Sequence, residues 1–273
     1  MKIGKLCRPL KNKEDLSYLK EFLTNVYGNL AMADYPYPAS FLAPLPANPI
    51  MRVCEYLKHP NFDSTNLLVE LFNGISVYFN YTKTARCLDH TKDASSLLGD
   101  EGWDFQACTE MVMPFCYDGK SDFFEPTPWN FTEYSEMCYS KWKVMPRPLM
   151  PEIQYGGSKI TAASNIVFSN GLLDPWSTGG VLKNLTDSLI AVIIPEGAHH
   201  LDLRESDPND PPSVIEARKI EKHFITKWIN DANRMRKEVD KEFEKNSLST
   251  KNKIKKELDK EFEKKSLSEN MIK

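Results

Sequence analysis

One acid and two histidines stand where a proton-transfer couple could be built. Asp174 lies in Ser169-Asn170-Gly171-Leu172-Leu173-Asp174-Pro175-Trp176, shortly after the β-branched and aromatic run Asn165-Ile166-Val167-Phe168. His199 and His200 lie in Glu196-Gly197-Ala198-His199-His200-Leu201-Asp202-Leu203-Arg204, shortly after the apolar run Leu189-Ile190-Ala191-Val192-Ile193-Ile194. A carboxylate beside an imidazole orients the ring and stabilises its protonated form, and the ring then serves as base toward a hydroxyl. Side chains of adjacent loop residues diverge, so one of the two histidines is expected to face a nucleophile. Arg204 is close enough in sequence to approach either ring and lower its pKa by like-charge repulsion.

These residues need elements that hold them. In an open sheet of parallel strands, reactive groups sit beyond the carboxyl ends of the strands. The run at 165–168 reads as one strand, broken by Asn170-Gly171, and a Gly-containing helix is expected at 178–187. Leu189–Ile194 reads as a strand buried on both faces, ended by Pro195 and Gly197. Pro212 through Ala232 reads as an amphipathic helix with Val214, Ile215, Ile220, Phe224, Trp228 and Ile229 on one face. Strand, helix, strand, helix is the grammar of a parallel α/β sheet. Residues 1–150 differ in texture: Leu16, Leu19, Leu23 and Val26 keep helical spacing, and a Pro-dense stretch from Tyr35 to Pro46 follows. Short helices are expected at 49–59, 64–80 and 102–112. The expected division is a mostly helical cap over 1–150, a parallel α/β part over 151–234, and a charged tail over 235–273. In the tail, Lys237–Lys245 recurs almost unchanged as Lys256–Lys264; Glu/Lys pairs favour helix, and the apolar stripe is too sparse for a long coiled coil.

Composition narrows the function classes. Lys+Arg 35 against Asp+Glu 38 gives a net charge of -3, which argues against a general nucleic-acid binder. No apolar run approaches the ~18 residues of a membrane helix. Met1 to Cys7 contains no apolar leader core. The six cysteines (Cys7, Cys54, Cys87, Cys108, Cys116, Cys138) form no Cys-x-x-Cys pair, and the histidines His59, His90, His199, His200 and His223 do not interleave with them at zinc-ligand spacing. No metal and no cofactor is therefore expected. With sequons at Asn80, Asn130 and Asn184, the cysteines point to an oxidising, secretory-pathway compartment. Reconciling that compartment with the missing leader, the chain is expected to lack its own beginning.

An acid after one strand and a histidine after the next, in that chain order, is the closing half of an α/β-hydrolase triad, whose order is Ser, Asp, His. The segments Asn165–Gly171, Leu173–Trp176 and Gly197–Arg204 resemble the Asp and His motifs of the lysosomal Pro-X carboxypeptidase and dipeptidyl peptidase II family of serine exopeptidases. The resemblance runs from Leu6-Cys7 to about Ala232, through Leu30-Ala31-Met32-Ala33-Asp34-Tyr35-Pro36-Tyr37, Gln106–Glu110 and Val112-Met113-Pro114-Phe115-Cys116, and leaves out the tail.

The resemblance implies the carboxyl-terminal part of an α/β-hydrolase sheet preceded by a helical, disulfide-linked cap, in an enzyme acting on bonds next to proline. It implies Asp174 as triad acid and His199 as base, with His200 and Arg204 as neighbours. Trp176 and Met113 would lie around a proline ring. It implies disulfides Cys7–Cys87 and Cys108–Cys138, with Cys54 and Cys116 left to reach partners upstream. Glycans would sit on Asn80, Asn130 and Asn184. The partners implied are proline-containing peptides, with neither nucleic acid nor membrane; homodimerisation and a lysosomal or secreted location belong to the complete enzyme. No Gly-x-Ser-x-Gly elbow occurs; Gly156-Gly157-Ser158-Lys159, sixteen residues before Asp174, lacks the second glycine and precedes the strand. The chain is therefore expected to be a piece of a longer enzyme, inactive alone. The Val112–Cys116 segment favours the carboxypeptidase branch. An aminodipeptidase and a non-catalytic short product acting as a binding module are the alternatives.

Overall fold

α1 (Lys13–Met32) starts at a reciprocal cap: Asn12 Oδ1 accepts from the Asp15 N–H at 2.8 Å, and Asp15 Oδ2 accepts from the Asn12 N–H at 3.3 Å. Its buried stripe is Leu19, Phe22, Val26 and Leu30. Leu16, expected on that stripe, is 43% exposed, and Phe22 fills the inner face instead. The computed structural model describes residues 3–58, 63–91 and 101–270. The Pro-dense stretch that follows α1 forms β1 (Ala39–Ser40) and β2 (Pro44–Leu45), a short antiparallel pair. α2 (Pro49–Tyr56) begins with proline at its first turn, where the missing N–H costs nothing. The end of the expected 49–59 helix, with His59, falls outside the described residues. α3 (Ser64–Phe79) is capped by Asp63, whose Oδ1 accepts from the N–H groups of Thr65 and Asn66. α4 (Glu101–Thr109), α5 (Phe131–Trp142) and α6 (Met150–Tyr155) complete the helical part before the parallel strands.

Disulfides join Cys7 to Cys87 and Cys108 to Cys138, the pairs that the resemblance implies. Around the first, Cys7 N–H donates to Leu88 O at 2.8 Å and Leu88 N–H to Lys5 O at 2.9 Å, so the bridge fastens a short parallel contact. Cys54 and Cys116 are exposed free thiols.

β3 (Ile166–Gly171) pairs in parallel with β4 (Leu189–Ile194), in register from Ile166 opposite Leu189 to Gly171 opposite Ile194. Mixed helix and parallel sheet is thus the architecture. The helix expected at 178–187 is not formed. Residues Pro175–Gly179 make a 3-10 turn, and the segment after it is irregular. Side-chain bonds to the backbone replace helical ones there: Asn170 Nδ2 donates to Val181 O at 3.0 Å, and Asn184 Oδ1 accepts from the Ala191 N–H at 2.8 Å.

α7 runs from Pro212 to Asn270, well past the expected end at Ala232. The chain divides into the units Met1–Ile220 and Glu221–Lys273. In the first, Val214 and Ala217 are buried, whereas Ile215, expected on the same face, is exposed. The second is helix whose Ile225, Ile229, Val239 and Phe243 are exposed and whose Lys227 pairs with Asp231 at 2.8 Å, four residues on. No described helix is long and apolar enough to cross a membrane.

One core lies in the first unit. It joins Phe22, Val26, Leu30, Tyr35 and Ile75 to Val192, Ile194, Leu201 and Val214, so residues on both sides of position 150 share it. Leu30 is wholly buried there. Leu30→Ala should cost about 2–5 kcal/mol through lost burial and a residual cavity, read as a fall in the urea midpoint with the slope unchanged.

Candidate active site

The site grows from the carboxyl ends of β3 and β4. Beyond the last paired residues, Leu172 N–H donates to Ile194 O and Leu173 N–H to Gly197 O, each at 3.0 Å, so the two strand-end loops remain bonded to each other. A Cβ on Gly171 would overlap the Gly197 carbonyl, and one on Gly197 would press on Ile194. Glycine is needed here for close backbone approach.

Asp174 follows that contact. It caps the 3-10 turn of Pro175–Gly179, its Oδ1 accepting from the Trp176 N–H at 3.1 Å. Its Oδ2 stands 2.7 Å from His199 Nδ1, with side-chain exposures of 10% for the acid and 25% for the histidine. A carboxylate accepting at Nδ1 leaves Nε2 as the free basic nitrogen. The structure thus brings Asp174 and His199 together, from positions 25 residues apart.

His200 takes the left-handed conformation at φ 42, and its ring lies 4.3 Å from the His199 ring, centroid to centroid. Burial, then the neighbouring His199, push its pKa below the usual histidine value, and Arg204 adds to the depression. Arg204 itself sits over the Tyr35 ring at 4.4 Å. Phe41 stacks on His199 at 6.1 Å and meets His200 edge-on at 5.0 Å.

An aromatic wall adjoins the couple. Trp176 lies 6.5 Å from the His199 ring, and Trp103 and Phe115 meet it edge-to-face at 6.0 and 5.4 Å. Met113 is half-buried in the irregular segment after α4. From that segment it is Phe115 that meets Trp176. No periodicity or spacing in the sequence links Phe41, Trp103 or Phe115 to Asp174.

Arg218, on the first turns of α7, holds the loop after His199. Its guanidinium donates to the carbonyls of Leu201 (3.1 Å), Asp202 (2.7 Å) and Arg204 (3.1 Å), and to Asp210 Oδ2 at 2.6 Å. Ser158 is exposed in the turn after α6, and among the described residues no hydroxyl bonds the His199 ring. Among the described residues no group of three His, Cys, Asp or Glu side chains could hold a metal. The sequon asparagines serve local structure: Asn80 Oδ1 accepts from the Ala85 N–H at 2.8 Å, Asn130 caps α5, and Asn184 supports β4.

Two measurements check this construction. Gly171→Ala should part the strand-end loops, with a loss of stability and of the Asp174–His199 hydrogen bond seen by NMR. His200 should titrate below the ordinary histidine value of ~6.5. The folded chain favours its neutral form, so stability should rise with pH through the window between the depressed pKa and ~6.5, then level off. His200→Gln should flatten that part of the stability–pH curve.

The sequence pattern described as serine carboxypeptidase S28 matches residues 2–221. The chain is 49% identical over 233 residues to lysosomal Pro-X carboxypeptidase of Bos taurus, covering 85% of this chain and 47% of that protein. To the Homo sapiens protein of the same name it is 51% identical over 226 residues, covering 83% and 45% respectively. To prolyl carboxy peptidase like protein 5 of Caenorhabditis elegans it is 40% identical over 240 residues, with 82% and 47% covered. It spans about half the length of the curated relatives it matches. A match over residues 2–221, with a bonded acid and histidine at the ends of its parallel strands, makes the chain a member of the serine carboxypeptidase S28 family of peptidases.

Proposed function

We propose that Asp174 and His199 are the acid and base of a serine-peptidase triad, and that the chain supplies them to an enzyme cleaving peptide bonds next to proline. The observation that carries this reading is the 2.7 Å contact from Asp174 Oδ2 to His199 Nδ1 beyond two adjacent parallel strands. The names of the mammalian relatives support the Pro-X carboxypeptidase branch over the aminodipeptidase one.

In this reading the missing partner is a serine outside the 273 residues, since no Gly-x-Ser-x-Gly string occurs within them. Its hydroxyl adds to the scissile carbonyl while His199 Nε2 takes the proton. The same proton then goes to the departing amine, and water, deprotonated in turn by His199, releases the acyl group. Asp174 keeps the ring in the tautomer that leaves Nε2 basic and stabilises the imidazolium once formed. Trp176, backed by Trp103 and Phe115, offers the flat apolar surface a proline ring requires, with Met113 nearby in the chain. Residues 1–150 act as the cap, 151–234 as the end of an α/β-hydrolase sheet and 235–273 as a solvated appendage. The complete protein works in the lysosome or outside the cell, is glycosylated at Asn80, Asn130 and Asn184, and acts as a homodimer.

The test joins this sequence to the upstream segment bearing the serine. Asp174→Asn should then lower kcat by about 10⁴-fold with KM little changed; an unchanged kcat would overturn the assignment. On the 273-residue chain alone, a fluorophosphonate probe should leave no label. Labelling at Ser158 would instead mark a nucleophile inside the chain.

A further inference from the structure

His199 is held from outside its own loop. Its backbone N–H donates to Met32 O at 3.0 Å, and its carbonyl accepts from the Tyr35 hydroxyl at 3.0 Å, 164 residues away. Met32 also reaches the acid's side of the site, its Sδ accepting from Trp176 Nε1 at 3.3 Å. The last residue of α1 thus touches both strand-end loops at once, and the turn after it adds Tyr35. We propose that Tyr35 is a positioning residue for His199: its hydroxyl, with the Met32 carbonyl, fixes the histidine backbone at the place where Nδ1 meets Asp174. The proposal deepens the triad reading and rests on it for its catalytic consequence.

Tyr35 is itself well fixed. It is 0% exposed, its N–H donates to Ala33 O at 2.8 Å, and its carbonyl accepts from the Asn48 N–H at 2.8 Å. Burial pushes its phenol pKa up to about 12, against the opposing pull of Arg204, so the hydroxyl remains a donor throughout the physiological range. The accepting carbonyl begins the peptide that leads into His200 at φ 42, a left-handed conformation that a non-glycine residue adopts at a cost. A donor on that carbonyl fixes the orientation of this peptide and offsets the strain. Release of the carbonyl frees the peptide to rotate and carries the His199 Cα with it. Shifts of about 1 Å at a reacting group cost on the order of 100-fold in rate.

Tyr35→Phe keeps the ring and its packing under Arg204, and removes the hydroxyl with its bond to the His199 carbonyl and its attraction to the Arg204 side chain. In the 273-residue chain labelled with ¹⁵N-histidine, the His199 Nδ1 proton should give a downfield resonance that Asp174→Asn abolishes. Tyr35→Phe should broaden or remove that resonance while the thermal melt remains cooperative. Tyr37→Phe, whose hydroxyl makes no bond to His199, should leave the resonance in place. An unchanged resonance in Tyr35→Phe, or none in the unsubstituted chain, would overturn the proposal; so would loss of cooperative folding in Tyr35→Phe, which would make Tyr35 a core residue only. In the longer enzyme Tyr35→Phe should lower kcat about 10- to 100-fold with KM within twofold, and a change in KM alone counts against it. Were Asp174→Asn to leave kcat intact while Tyr35→Phe still removed the resonance, the triad reading would fail and the positioning would stand.

Discussion

The backbone contact between the ends of β3 and β4 is the constraint on which the site depends. Parallel pairing in register to Gly171 and Ile194 delivers two loops to the same edge, and the bonds from Leu172 and Leu173 to Ile194 and Gly197 keep them there. Glycine allows this spacing, since a Cβ at 171 would overlap the Gly197 carbonyl of the opposite loop and one at 197 would press on Ile194 of its own strand. Everything chemical follows from that spacing. A charge-assisted contact of 2.7 Å between Asp174 and His199 has little tolerance, and no adjustment of χ angles would compensate for loops a few ångströms further apart.

Local signals of the fold were legible in the sequence where one element supplies its own explanation. Leu19, Leu23 and Val26 at helical spacing mark α1 with no knowledge of what it packs against, although Leu16, on the same pattern, is exposed. The run Leu189–Ile194 reads as a strand because six apolar residues between turn signals have few other uses, but the expected burial of both faces is not met: Ile193 is exposed and Ala191 only partly covered. The 178–187 stretch misleads for a local reason. Its composition permits a helix, but Asn170 takes the Val181 carbonyl and the Leu185 N–H donates to Leu189 O, the two groups that a helix would have bonded to each other. The helix from Pro212 outlasts its amphipathic pattern, and beyond Ala232 no buried apolar face accompanies it, Val239 and Phe243 being exposed.

The candidate site was legible in its side-chain chemistry and illegible in its support. Asp174 and His199 announce themselves by residue type, chain order and position after strands. The contacts from Met32 and Tyr35 to His199 run through main-chain atoms of the histidine, and a main-chain acceptor carries no residue-type signal. Nor does a sequence indicate that Trp103 and Phe115 converge on Trp176 from beyond Asp174 by way of α4 and the segment after it.

The histidine loop is therefore gripped from two directions by different physics. On one side the neutral phenol of the buried Tyr35 and the carbonyl of Met32 bond the backbone of His199. On the other, Arg218 spends its donors on the carbonyls of Leu201, Asp202 and Arg204 and on Asp210, whose side chain is only 1% exposed. A buried ion pair of this kind is weak as a source of stability, because desolvation consumes much of its Coulomb gain. Its effect is on conformation: a planar cation with fixed donor directions selects one path for a loop that Ala198 and Leu201 anchor in the core. Neutral bonds hold the backbone of His199 itself, Arg218 binds carbonyls from Leu201 onward, and a second guanidinium, that of Arg204, lies over the Tyr35 ring. The loop is thereby held rigid, and the guanidinium of Arg218 makes no direct bond to the couple it helps to place.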